Sequence, residues 1–239
     1  MSNRIYLLSF PKSGRTWVRL IIGKYFADKY ELNQDKILVY SSEHSIKNVK
    51  ILQHTHGGFA VSGEATNIKS LKDKDVILLE RNIYDTMVSY YYHCKYRLHN
   101  TARRAGADLE SKGSFLKSKH GIERLKSYYE EISNINFLYK TTYEDLHKTP
   151  EKECSKILEL MGEDVDKEIL KNAIEFCTFE NMAKAERKNK FKISPDNLCK
   201  KNEDRAFKVR EGKVNNYHNH FSKDQIDYIT KIFYETHST

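Results

Sequence analysis

Apolar residues along the chain fall into short continuous runs, separated by longer stretches in which they recur every three or four positions. Arg4 to Phe10 (RIYLLSF) has the character of a buried strand, and Thr16 to Tyr30 has helical periodicity with Val18, Ile21, Ile22, Tyr25 and Phe26 on one side. Lys50 to Thr55 and Asp75 to Glu80 (DVILLE) predict further strands, the second followed by a helix over Asn82 to Tyr96. Ile135 to Lys140 (INFLYK) predicts another strand. Beyond it come Tyr143 to His147 and helical patterns over Glu151 to Met161, Val165 to Phe176 and Phe179 to Arg187, and Ser222 to Tyr234 begins like a capped helix. Strands alternating with helices predict an α/β fold of three layers, a mainly parallel sheet flanked by helices. Two segments carry no such pattern. Leu98 to Gly121 is polar and glycine-containing, which predicts a mobile insertion, and Asn189 to Asn216 predicts a long loop.

Composition narrows this picture. The chain has 239 residues, 39% hydrophobic and 31% charged, with 16 Tyr and 11 Phe. That supplies a substantial core, excludes general disorder and leads us to expect one domain over residues 1–239. No apolar run reaches the length that crosses a bilayer, and Ile5 to Phe10 lacks the flanks of a signal peptide. Cys94, Cys154, Cys177 and Cys199 lie far apart without a CxxC pair, which suits reduced structural thiols in a cytoplasm better than a disulfide or zinc framework. The net charge of +8 points to an acidic partner: nucleic acid, a membrane surface or a small polyanion. Basic residues gather in Arg97 to Lys119 and Lys184 to Lys213, for which solvated loops are the plain alternative.

Candidate chemistry sits where strands run into helices, because free backbone N–H groups and helix dipoles collect there. Pro11 to Trp17, PKSGRTW, is such a turn. Gly14 permits close backbone approach, Ser13 and Thr16 carry hydroxyls, and Lys12 and Arg15 add positive charge, a set suited to a phosphate. The order is not that of a Walker A loop, which places its lysine after the second glycine. In ILQHTHGGF, Ile51 to Phe59, a continuing strand projects His54 and His56 to the same side. A metal pair there lacks a carboxylate or cysteine at supporting spacing, and structural histidines are the alternative.

PKSGRTW resembles the 5′-phosphosulfate loop, PKSGTTW, of the sulfotransferases that use 3′-phosphoadenosine 5′-phosphosulfate (PAPS). ERNIYDTMVSYYYH, Glu80 to His93, resembles that family's 3′-phosphate segment, an arginine followed eight positions later by a serine, here Arg81 and Ser89. REGKVNNYHNHFS, Arg210 to Ser222, is similar to its RKGxxGDWKNxFT region. Tyr143-Glu144-Asp145, ILELMG at Ile157 to Gly162 and TFENM at Thr178 to Met182 resemble smaller family segments in the same order, so the resemblance runs from Ile5 to about Phe221.

The resemblance implies a P-loop-NTPase-like core, PAPS as sulfuryl donor, 3′-phosphoadenosine 5′-phosphate (PAP) as product, and no metal. Lys12, Ser13, Gly14, Arg15, Thr16 and Trp17 then form one cradle, and Arg81, Ser89, Arg210 and Gly212 the other. A donor with two separated anionic ends needs two cationic cradles and an aromatic slot between them. Trp17 and Phe179 are the implied stacking residues, and Tyr143 bonds the adenine edge. The catalytic positions fall on Lys12 at the leaving group, His56 as base, and His54 where a catalytic lysine often stands.

Several positions depart from the family pattern: Arg15 replaces a threonine, Glu211 replaces the lysine of RKG, and Asn215-Asn216-Tyr217 replaces Gly-Asp-Trp. In the family's dimer signature this chain has His218, Ser222, Lys223 and Asp227, with Lys223 where a valine is usual, so a monomer or weak homodimer is expected. The implied partner is a hydroxyl-bearing acceptor, or an amine, with no nucleic acid and no membrane span. The polar, basic makeup of residues 98–121 and 57–62 points to a sugar or another anionic, hydroxyl-bearing molecule, a carbohydrate or secondary metabolite. Two rival readings remain at this point: a nucleotide-dependent kinase of similar fold, and a noncatalytic polyanion binder.

Overall fold

The two-residue period of the strands decides which helices cover which face of the sheet. In the computed structural model, which describes residues 3–61, 66–188, 205, 207 and 209–235, β1 (Arg4–Leu8) sends Ile5 and Leu7 into one core and Leu8 into another. A tight loop carries β1 into α1 (Arg15–Lys29), followed by α2 (Ile37–Tyr40) and β2 (Ile51–Thr55). β3 (Val76–Glu80) runs into α3 (Ile83–Tyr96). Three helices come next, α4 (His99–Arg104), α5 (Lys112–Lys117) and α6 (Ile122–Ile132), before β4 (Tyr139–Thr142). The remaining elements are α7 (Tyr143–Lys148), α8 (Pro150–Met161), α9 (Lys167–Phe176), α10 (Phe179–Arg187) and α11 (Lys223–Tyr234).

The sheet has the order β2-β1-β3-β4, and each neighbouring pair is parallel. Ile77 and Leu79 of β3 join Ile5 and Leu7 in a core closed by α1, α8 and α9. Val76 and Leu78 join Leu8 in a core closed by α3, α5 and α6. The three-layer α/β arrangement follows from this alternation. Because β2 lies to one side of β1 and β3 to the other, the chain leaves the adjacent carboxyl ends of β1 and β3 in different directions, which opens a crevice between them.

Two expectations change. Leu98 to Gly121 is packed and helical rather than a mobile insertion: Ala102, Ala107, Leu109, Phe115 and Leu116 are buried in the second core, and Ser111 forms a capping box at the start of α5. Its apolar residues are too widely spaced to show a period, yet each meets the core. The strand expected over Ile135 to Lys140 begins only at Tyr139, where the chain comes into register with Ile77. Ile135 packs into the core on the way in, while Leu138 is 47% exposed. No described helix is long and apolar enough to cross a membrane. Cys94, Cys154 and Cys177 are buried free thiols. Cys199, Ser62 and most of the loop expected over Asn189 to Asn216 lie outside the described residues.

One ion pair fastens the far wall of the crevice. Arg97, at the end of α3, meets Glu186 of α10 at 3.2 Å with both side chains buried (2% and 0% exposed), and the other carboxylate oxygen accepts the Val209 N–H at 2.9 Å. Removing one member of a buried pair leaves the other's charge in a medium of low dielectric. Glu186→Ala is therefore expected to lower the unfolding free energy by about 3 kcal/mol, measured by urea denaturation followed by circular dichroism.

Candidate active site

The loop between β1 and α1 is held in a strained shape. Lys12 takes φ of +78° and Gly14 of +98°. A left-handed backbone costs a lysine roughly 1 kcal/mol, and the Arg81 guanidinium holds it there by donating to the Lys12 carbonyl at 3.1 Å. At Gly14 a Cβ would stand 2.5 Å from the Tyr143 ring, so the position excludes any side chain. Gly14 is also the N-cap of α1, and no side chain among the described residues caps that helix, whose positive end therefore opens beside Lys12, Arg15 and Thr16. Ser13 turns the other way. Its hydroxyl is buried and donates to the Phe10 carbonyl at 3.0 Å, so it closes the turn and does not enter the cleft as the motif led us to expect.

A cleft of about 570 Å³ lies at the crevice between β1 and β3. Of the residues singled out in the sequence, Lys12, Gly14, Arg15, Thr16, Trp17, His56, Arg81, Ser89, Tyr143, Phe179, Arg210 and Gly212 line it, while Ser13 and His54 do not. The helix α3 presents Asp85, Val88, Ser89 and His93 to it, a stripe at the spacing of one helical face. Only Leu98 comes from the segment 98–121, and with Ala60, Val61 and Val88 it gives the cleft an apolar portion.

Aromatic rings also line it. The Trp17 indole is fixed by donating to the Cys177 carbonyl at 2.9 Å, and its ring lies 5.9 Å from Tyr143 and 4.8 Å from His147. His147 lines the cleft too, a residue that the sequence reading missed. The signal was its place four residues after Tyr143, which stacks the two side chains on one face of α7. Phe179 opens α10, and Gly212, at φ +60°, lies so near its ring that a Cβ would fall 2.1 Å from it.

The second positive region is built by Arg81 and Arg210. Beyond its bond to Lys12, Arg81 donates to the Lys213 carbonyl at 3.4 Å and stacks 4.2 Å above the Tyr143 ring, and its Nε is buried without a partner among the described residues. Arg210 lies 3.8 Å from the centre of the Tyr92 ring, and burial pulls its pKa below the usual arginine value. Glu211 lines the same region, 3.0 Å from the Arg210 guanidinium.

Lys12 and Arg15 bear directly on the state of His56. The His56 Nδ1–H donates to the Ser9 carbonyl at 2.7 Å, and since a carbonyl only accepts, Nε2 is the basic nitrogen of the neutral ring. Burial, followed by the charges of Arg15 and Lys12, holds the imidazole pKa well below its ordinary 6.5. His56 lies one residue beyond the end of β2 at Thr55 and lines the cleft, whereas His54, within the strand, does not. His54 pairs in register with Leu7; its Nδ1 is buried without a partner among the described residues, and burial with Arg19 and Arg15 pushes its pKa down to about 3.

Comparison with known proteins agrees with the motif order. The family model described as "Sulfotransferase domain" matches residues 2–238. Sulfotransferase 1E1 of Bos taurus is 27% identical over 234 residues, covering 91% of this chain and 78% of the relative. The amine sulfotransferase of Oryctolagus cuniculus is 23% identical, over 97% of this chain and 79% of its own. The crystal structure of mouse sulfotransferase SULT7A1 complexed with PAP superimposes with a TM-score of 0.60 at 22% identity, covering 98% of this chain and 84% of that one. The loop after β1, the arginine after β3 and the whole α/β frame thus belong together, and the chain is a member of the sulfotransferase domain family, the PAPS-dependent enzymes that move a sulfuryl group to a hydroxyl or amine.

Proposed function

We propose that the cleft holds PAPS with its 5′ end at Lys12, Gly14, Arg15 and Thr16 and its 3′-phosphate at Arg81, Ser89 and Arg210, the adenine lying among Trp17, Tyr143 and Phe179. The observation that carries this reading is that one cleft, at the point where strand order reverses, is lined by Lys12 and Arg15, by Arg81 and Arg210, and by the rings of Trp17, Tyr143 and Phe179. The residues fit such a donor, because Lys12, Arg15, Arg81 and Arg210 line the cleft with positive charge and the buried Arg81 Nε has no partner among the described residues. When bound, PAPS supplies the sulfuryl group and a good leaving group. The chain's own residues supply the rest. His56 accepts the acceptor's proton at Nε2, with Ser9 holding the ring in the needed tautomer. Lys12 and the positive end of α1 offset the negative charge that develops at the leaving oxygen.

The apolar portion formed by Ala60, Val61, Val88 and Leu98 supports an acceptor with a hydrocarbon body beside its hydroxyl or amine. Of the two segments behind the expected sugar, 98–121 and 57–62, the polar residues of the first do not line the cleft. A monomer or weak homodimer in the cytoplasm without nucleic-acid partners completes the proposal. A kinase would need magnesium with ATP, and a polyanion binder would lose affinity steeply with salt while ignoring PAP.

Replacing His56 with Ala is expected to lower kcat by about 10²-fold or more while PAP affinity changes less than about threefold. Lys12→Ala should lower kcat by a similar factor, roughly 10²-fold. Calorimetry with PAP in EDTA and a labelled-sulfate transfer assay check both, and near-normal turnover in the two variants would remove these roles.

A second outcome concerns protonation. A histidine whose pKa is lowered by folding stays neutral as pH falls through 6.5, and charges only below its lowered value. In the free protein the His56 imidazole should therefore keep its Nδ1-protonated neutral form at pH 5.5, as read from ring ¹⁵N chemical shifts. Arg15→Gln should raise the midpoint, and because burial is the largest cause the midpoint should stay below the ordinary value.

A further inference from the structure

The positive region assigned to the 3′-phosphate already contains an anion of the chain itself. Glu211 reaches the Arg210 guanidinium with one carboxylate oxygen at 3.0 Å, and with the other it accepts from His220 Nε2 at 3.0 Å and from the Asn216 amide. The His220 carbonyl in turn accepts from the Lys112 ammonium, which fastens this turn to α5. The carboxylate is about two-thirds buried, its exposure being 32%, against 15% for Arg210 and 14% for His220. Burial by itself pushes the Glu211 carboxyl up, but the His220 hydrogen bond and the Arg210 charge outweigh it and hold it below the usual value, so it is ionised at neutral pH.

We propose that Glu211 is an internal counter-ion of the cleft, occupying Arg210 and His220 in the nucleotide-free protein and so reducing what a second phosphate on the nucleotide contributes to binding. The proposal rests on the donor reading above. A phosphate arriving at Arg210 meets a carboxylate on the same guanidinium, and like charges at such separations repel strongly where water is excluded. Glu211 must then turn away and give up its bonds to Arg210, His220 and Asn216, or remain beside the phosphate; both routes subtract from the favourable contact. The loop from Lys12 to Thr16 is untouched, so an anion bound there is indifferent to Glu211. The residue thereby sets how far the enzyme distinguishes nucleotides with a 3′-phosphate from those without one.

Isothermal titration of the full chain with PAP and with adenosine 5′-monophosphate tests this, because the two ligands differ only in the 3′-phosphate. In the unaltered chain PAP is expected to bind less than about tenfold tighter than adenosine 5′-monophosphate, the loss of one good charge contact. Glu211→Gln keeps the shape and removes the charge; it should tighten PAP by about tenfold and shift adenosine 5′-monophosphate by less than about twofold. Unchanged or weaker PAP binding in the variant overturns the proposal, as does equal tightening of both ligands, which reflects net charge alone. Glu211→Asn provides the same comparison if the Gln variant fails to fold, with adenosine 5′-monophosphate binding as the sign of an intact loop. Failure of the unaltered chain to bind either nucleotide removes the donor reading itself, and the Glu211 proposal with it.

Discussion

The Arg81 guanidinium is the contact on which the cleft depends. It leaves the carboxyl end of β3, donates to the backbone of the loop after β1 and to the backbone at Lys213, and stands over the Tyr143 ring at 4.2 Å from its centre. Segments far apart in the chain are thereby fixed around one point. A lysine has neither the planar fork nor the stacking face to do the same. The residue that holds the loop in its left-handed turn is also one of the cations we propose for the second anionic end of the donor.

Charge and burial work against each other throughout this cleft, and the balance differs by residue. Arginines remain charged under burial because the guanidinium is so strong a base, so Arg15, Arg81 and Arg210 supply a permanent positive field. Burial, joined by these positive charges, pushes the pKa values of His54, His56 and His147 down, and His56 is further committed to one tautomer by Ser9. In the function we propose, a cationic site beside a neutral base is the combination that proton removal from an acceptor needs when the other substrate is an anion. Glu211 runs counter to this pattern, and its hydrogen bonds to His220 and Asn216 show how a carboxylate is kept ionised there.

Much of the fold was legible because the central strands β1 and β3 are largely buried and read as short apolar runs. β1 and β3 fall within the expected segments, and α10 has its expected bounds, Phe179 to Arg187. The misses have physical causes. Leu98 to Gly121 reads as polar, yet a few residues such as Ala102 and Phe115 suffice to pack short helices against an existing core. INFLYK is apolar enough for a strand, but pairing with β3 starts only at Tyr139. In the cleft, PKSGRTW and the arginine after β3 were visible as chemistry at strand ends, while His147 was hidden among the residues of an ordinary helix until its rings came together with Trp17 and Tyr143.

What the sequence determined by itself is local: the strand–turn–helix order, the glycine and cations of the loop, and a motif order specific enough to indicate the family. These follow from properties that adjacent residues carry wherever they stand, namely period, backbone freedom and charge. The tertiary structure alone decided which side chains share the cleft. It turned the Ser13 hydroxyl into the loop, left His54 out, placed His56 past the end of its strand, and joined Glu211 to Arg210 and His220. Those outcomes depend on where a strand stops and which segments meet, and both are set by packing between residues distant in the chain.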